Sequence, residues 1–170
     1  MIAERYVLRV QDGARELVDE RFGHRIARVV FARATGWTAD MADGPTWKVN
    51  AYGRGWKLVA EPVEGGEPLL WYTDRALRSG GMLELANGRA YDVRSKLLHR
   101  LDLTLRDLDG RVLLDVRARP RGEELEAVAE VVTGLPHPED RDLLVTFMTV
   151  LALLLRDTAS TGGGGGGGGP

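Results

Sequence analysis

The sequence predicts a mostly-β domain wrapped around one very apolar C-terminal helix. Three observations predict it. Glycine-containing turn dipeptides recur through the first two thirds of the chain, short runs of alternating apolar and polar residues lie between them, and residues 143–155 form a closing run with no polar face. The chain has 170 residues. A single domain of this size buries roughly 70% of its unfolded surface, enough for a core without disulfide or metal staples.

The turn signals are Asp12-Gly13, Asp43-Gly44, Gly53-Arg54-Gly55, Gly65-Gly66, Gly80-Gly81, Asn87-Gly88 and Asp109-Gly110. Asn-Gly and Asp-Gly suit type I′ hairpin turns, whose two central residues both need positive φ. Between these signals the candidate strands are 6–10, 16–20, 25–34, 47–52, 56–60, 69–73, 82–85 and 90–94. Then comes the clearest run, 101–106, with Leu101, Leu103 and Leu105 on one face and Asp102, Thr104 and Arg106 on the other. Residues 111–117 return from the Asp109-Gly110 turn as its hairpin partner. Residues 124–131 have helical propensity, but Leu125, Ala127, Ala129 and Val131 share one strand face, so a strand is expected. Ten or eleven short strands at this spacing make an antiparallel sandwich or barrel.

Pro136 and Pro138, followed by Glu139, Asp140 and Asp142, then open a helix. Proline suits the first turn and carboxylates complement the positive end of the macrodipole. Arg156 stands where a cation favours the helix end, which places the helix at about 139–156. Its 143–155 core holds eleven apolar residues and two threonines. A helix apolar on every side must be enclosed on every side, by protein or by lipid. A bilayer core needs ~20 apolar residues. Thirteen span only ~20 Å, which is the height of a barrel of short strands, so enclosure by the upstream strands is expected. The alternative is a peripheral membrane protein whose helix leaves the barrel. Residues 162–169 are all glycine, and a disordered tail is expected over 158–170.

Composition narrows function by exclusion. The chain is 44% hydrophobic and 28% charged, with a net charge of -2, so it lacks the basic field of a nucleic-acid binder. Arginine outnumbers lysine 20 to 3 but is spread along the chain. There is no cysteine, which excludes disulfides, thiolate metal sites and cysteine nucleophiles. The first residues lack the pattern of a signal peptide, so a cytoplasmic location, peripheral at a membrane, is expected.

No catalytic signature stands out. Ser79 lacks a GxSxG elbow. His24, His99 and His137 have no metal-ligand spacing. Gly53-Arg54-Gly55 lacks the third glycine of a dinucleotide fingerprint, since position 58 is Leu. No cofactor and no metal are expected, and enzymatic activity is not. One segment points to binding. Residues 47–57 hold two of the three lysines, one arginine and three aromatics. With Trp47, Val49 and Ala51 inward, Lys48, Asn50 and Tyr52 face out, and Lys57 joins them if the hairpin is regular. Lys48, Arg54 and Lys57 are therefore the candidate contacts for an anionic lipid head group. Trp37 and Trp71 read as core or barrel-rim residues.

The serial hairpins, the strand-turn-strand 101–117 with its Asp107-Leu108-Asp109-Gly110-Arg111 turn, and the closing 142–157 helix resemble the Tubby C-terminal-like superfamily. That group includes the LURP-one-related proteins and the phospholipid scramblases. The resemblance covers about residues 1–157. It implies a closed antiparallel barrel of about twelve strands with the apolar helix threaded through it, in one domain. It also implies a non-catalytic module: some members bind phosphoinositides or membranes, and scramblases move lipids. No binding residue carries over, because the scramblase calcium segment and membrane anchor have no counterpart here. The expected function is a binding or scaffold module whose partner is an anionic lipid head group or a protein. The alternative is a small-ligand barrel or an enzyme with an unrecognised site.

Overall fold

A computed structural model describes residues 4–53, 57–75, 80–96 and 99–161. Its strands are β1 (Glu4–Gln11), β2 (Ala14–Asp19), β3 (Arg25–Ala32), β4 (Gly36–Met41), β5 (Thr46–Tyr52) and β6 (Lys57–Pro62). They continue as β7 (Leu70–Asp74), β8 (Gly80–Leu85), β9 (Ala90–Lys96), β10 (His99–Arg106), β11 (Val112–Ala118) and β12 (Leu125–Val131). Each strand pairs antiparallel with its sequence neighbours, and β12 returns to β1, so the sheet closes as a barrel. A 3-10 turn (Pro138–Asp140) leads into α1 (Arg141–Thr161).

Eleven strands lie where alternation placed them. The twelfth, β4, begins just past the 25–34 run and has no counterpart among the candidate strands. Its Trp37 and Ala39 face in and are buried, while Asp40 is exposed, but a turn at 33–35 cuts the run short. The Glu124 segment forms β12, so burial of Ala127 and Ala129 prevails over helical propensity. Of the proposed type I′ dipeptides, Asp12-Gly13 has positive φ at both residues, 50° and 77°. At Asn87-Gly88 and Asp109-Gly110 only the glycine is left-handed. In the latter loop Asp107 accepts from the Gly110 N–H, the geometry of a wider hairpin loop with a left-handed glycine.

Period-two alternation sorts the side chains. Tyr6, Leu8, Leu17, Trp47, Leu70, Leu83, Leu105 and Leu114 point inward and are fully buried. The outer wall carries charge: Arg5 reaches Glu20 at 2.7 Å and Glu130 at 3.5 Å, and Arg94 reaches Asp92 at 2.6 Å. A charged exterior over an apolar interior is the reverse of a lipid-facing barrel. Trp71 departs from expectation. It points outward opposite Val59, which is only 3% exposed although it lies on the outer wall. It is therefore neither core nor rim.

The helix fills the barrel. Leu144 through Leu153 are ten consecutive buried residues, nearly three turns covered on every side. Phe147 meets Trp47 with ring centroids 6.3 Å apart. Polar side chains hold both helix ends. At the entry, Arg89 of the β8–β9 loop reaches Asp140 at 2.6 Å and Glu139 at 2.8 Å. At the exit, Arg156 lies against Glu126 of β12. The helix does not stop at Arg156 but runs to Thr161, because that guanidinium is engaged by the barrel rather than capping a terminus. Residues 162–170 lie outside the described residues.

Candidate functional site

The β5–β6 hairpin places Lys48, Asn50, Tyr52, Lys57, Val59 and Glu61 on one outward face, through the pairs Lys48↔Glu61, Asn50↔Val59 and Tyr52↔Lys57. Lys57 thus lies on the same side as Lys48. The two are far apart along it, at opposite ends of four register steps, or roughly 13 Å at the usual strand rise. Neither makes an ion pair with a described residue. Glu61, opposite Lys48, accepts hydrogen bonds from the Asn50 side-chain amide and, at 2.8 Å, from the Tyr52 hydroxyl. That bond to Glu61 holds the Tyr52 hydroxyl above its ordinary pKa. Lys48 therefore faces a carboxylate, whereas Lys57 faces an exposed phenol. Arg54, the third expected member, lies outside the described residues, as does Ser79.

The barrel ends differ. Odd strands run from the helix-entry end to the helix-exit end, so the loops divide cleanly. Among described loop residues, the entry end carries Glu20, Asp43, Glu64, Glu67, Asp107, Asp109, Glu139 and Asp140 against Arg21, Arg89 and Arg111. The exit end carries Arg33, Arg75, Arg119 and Arg121 against Asp12, Glu123 and Glu124. The helix macrodipole opposes this polarity, with its positive terminus among the carboxylates.

At the exit end, an arc of rim exposes apolar side chains. Val10 and Phe31 lie near the ends of β1 and β3 and Tyr52 closes β5; they are 37%, 44% and 48% exposed. Arg33 follows Phe31 and Lys57 opposes Tyr52; both cations are exposed. Phe31 stacks on the rim tryptophan Trp37 at 5.2 Å, and Arg15 lies over the same indole at 5.7 Å. The alternation of β3 and β5 put Phe31 and Tyr52 near strand ends, but nothing local in the sequence says that those ends share a rim.

The entry end has a cleft of about 250 Å³ beside the helix start, lined by Glu4, Asp19, Phe22, His24, Asp43 and Arg141 among others. Most of its charges are already satisfied. Arg141 lies 3.1 Å from Asp142 and 3.5 Å from Glu4, and Asp19 accepts from the backbone N–H of Arg21 and Phe22. His24 lies 6.1 Å from the Phe22 ring, and His137 lies 3.8 Å from Glu139. Among the described residues, no group of three or more His, Asp or Glu side chains could hold a metal ion. Among them also, no helix is long and apolar enough to cross a membrane. No family model matches the chain, and no curated protein or solved structure matches it.

Proposed function

We propose that this chain is a Tubby-like barrel that works as a non-catalytic binding or scaffold module at anionic membrane surfaces, with Lys48, Arg54 and Lys57 among its contacts. The observation that carries the reading is the filled interior. With Leu144 through Leu153 buried on all sides, the barrel lacks the lumen that lipocalin-type carriers use. Recognition then falls to the outside. There, Lys48 and Lys57 present cations without an ion-pair partner among the described residues.

The test is co-sedimentation of the full chain with phosphatidylcholine vesicles that contain or lack phosphatidylserine, at low and at high salt. Binding that requires the anionic lipid and weakens with salt is expected. Absence of binding at low salt ends the membrane reading. Undiminished binding by a Lys48→Glu/Arg54→Glu/Lys57→Glu variant removes those three residues from it.

A further inference from the structure

We infer that the barrel meets an anionic bilayer end-on, through the helix-exit rim, with Val10, Phe31 and Tyr52 at head-group depth and Arg33 and Lys57 against the phosphates. The inference rests on the membrane reading above and specifies its contact face and orientation. Net charge gives no such direction, because at -2 the whole molecule is weakly repelled by an anionic surface. The direction comes from how the charge is distributed. Eight loop carboxylates against three arginines at the entry end are pushed away from the bilayer, while the described residues of the exit-end loops carry a small cationic excess.

The rim arc supplies the second requirement. A peripheral contact on an anionic membrane combines apolar side chains that reach the acyl boundary with cations at the head groups. On successive odd strands the exit rim presents Val10, Phe31 and Tyr52, each more than a third exposed. Arg33 and Lys57 lie between and beside them, and neither pairs with a described carboxylate. The opposing charges at this rim are Asp12 in the β1–β2 turn and Glu61, which accepts from the Tyr52 hydroxyl at 2.8 Å. The entry end also exposes apolar side chains, Phe22, Val63, Leu108 and Val132, but the loops there carry the carboxylate excess. Lys48, set back along the wall beside Glu61, contributes least of the proposed contacts.

The experiment reverses the polarity without changing the net charge. Arg33→Glu/Lys57→Glu combined with Glu64→Lys/Glu67→Lys keeps the total constant, and all four positions are exposed. Each cation at the surface is worth about fivefold in partitioning, so binding to phosphatidylserine vesicles should fall more than tenfold, while Lys48→Glu alone should stay within about twofold of the parent. Thermal melting confirms that the variants fold. Because the chain has no cysteine, Thr35→Cys and Glu64→Cys each give one labelling site. A polarity-sensitive dye should shift to the blue on vesicles at position 35 and not at position 64. Parent-like binding by the reversed variant, or a shift at position 64 alone, overturns the orientation while leaving the membrane reading standing. A parent chain that fails to bind phosphatidylserine vesicles removes both.

Discussion

Glu126 and Arg156 face each other at 3.9 Å inside the barrel wall, with only 4% and 6% of their side chains exposed. β12 alternates regularly up to Ala127, but its pairing with β1 slips between Leu8 and Arg9. The slip leaves Glu126 as the extra residue of a bulge, which re-aims a side chain that alternation would send outward. Arg15 donates to the same carboxylate at 2.5 Å, and Arg156 also donates to the Arg119 carbonyl at 3.4 Å and lies 3.1 Å from Asp157. One bulge thus ties the helix exit to β2 and β12.

Glu126→Ala should destabilise the domain by up to about 3–5 kcal/mol, because it takes the only described carboxylate partner from Arg15 and the more deeply buried of two from the Arg156 guanidinium, leaving Asp157 beside it. That is a large share of the ~5–15 kcal/mol typical of a domain. Glu126→Ala/Arg156→Met should cost less than the sum of its two single variants, since the buried guanidinium and the buried carboxylate facing it are then removed together. Urea denaturation midpoints measure this. Additive losses would mean that the two groups do not interact.

The barrel was legible because alternation and turn residues are local signals, and the helix because a run apolar on every side has few ways to be buried. The Arg15–Glu126–Arg156 cluster was not. Its members are 111 and 37 residues apart in the bonds that join them to β12 and the β11–β12 loop, and Glu126 reads as an outward strand residue until the register slip is known. Arg156 reads as a helix stop because a cation near a helix end usually complements the dipole. Its burial depends on where β12 lies. In the candidate patch, alternation correctly put Lys48 and Lys57 on one face, but the register that sets Glu61 opposite Lys48 depends on a hairpin whose connecting residues 54–56 lie outside the described residues.

Gly80 should tolerate alanine far less well than Gly88. Both have positive φ, 136° and 85°. At Gly88 a Cβ would meet nothing within 4 Å, so the cost is the left-handed backbone alone, about 1–2 kcal/mol. At Gly80 a Cβ would overlap the Val93 carbonyl oxygen and press on its carbon at 2.8 Å. This is backbone, which cannot swing aside. Gly80→Ala should cost at least twice as much as Gly88→Ala in a chemical denaturation series. Equal losses would show that β8 and β9 can separate at this point.

Alkaline pH should unfold the barrel through its buried tyrosines. Tyr6 and Tyr72 are 0% and 5% exposed. Burial, the dominant cause in each, pushes their hydroxyls well above the ordinary value, with Glu4 adding to the effect at Tyr6 and Asp74 at Tyr72. In the unfolded chain both lose a proton near pH 10. Their contribution is therefore fully present below pH ~10 and is lost as pH rises toward the folded-state values. The slope approaches about 1.4 kcal/mol per pH unit for each tyrosine. Stability measured by urea denaturation between pH 9 and 11 should fall on this account, and Tyr72→Phe should flatten the fall. An unchanged slope in that variant would assign the alkaline loss to other groups.

Leu151→Asp is the most severe single test of the architecture. Leu151 is 1% exposed, and its neighbours Val150 and Ala152 are equally enclosed, so no rotation of the helix brings position 151 to water. A carboxylate there has no cation designed to meet it and costs several kcal/mol in desolvation. Leu151→Ala, which only removes volume, should cost about 2–5 kcal/mol and leave a folded but less stable protein. The aspartate variant should lose the near-ultraviolet circular dichroism of the packed tryptophans, Trp47 among them through its contact with Phe147, and melt without a cooperative transition. A cooperative melt close to that of the parent would mean that the helix can leave the barrel with the strands still closed. Recognition would then no longer be confined to the outer surface.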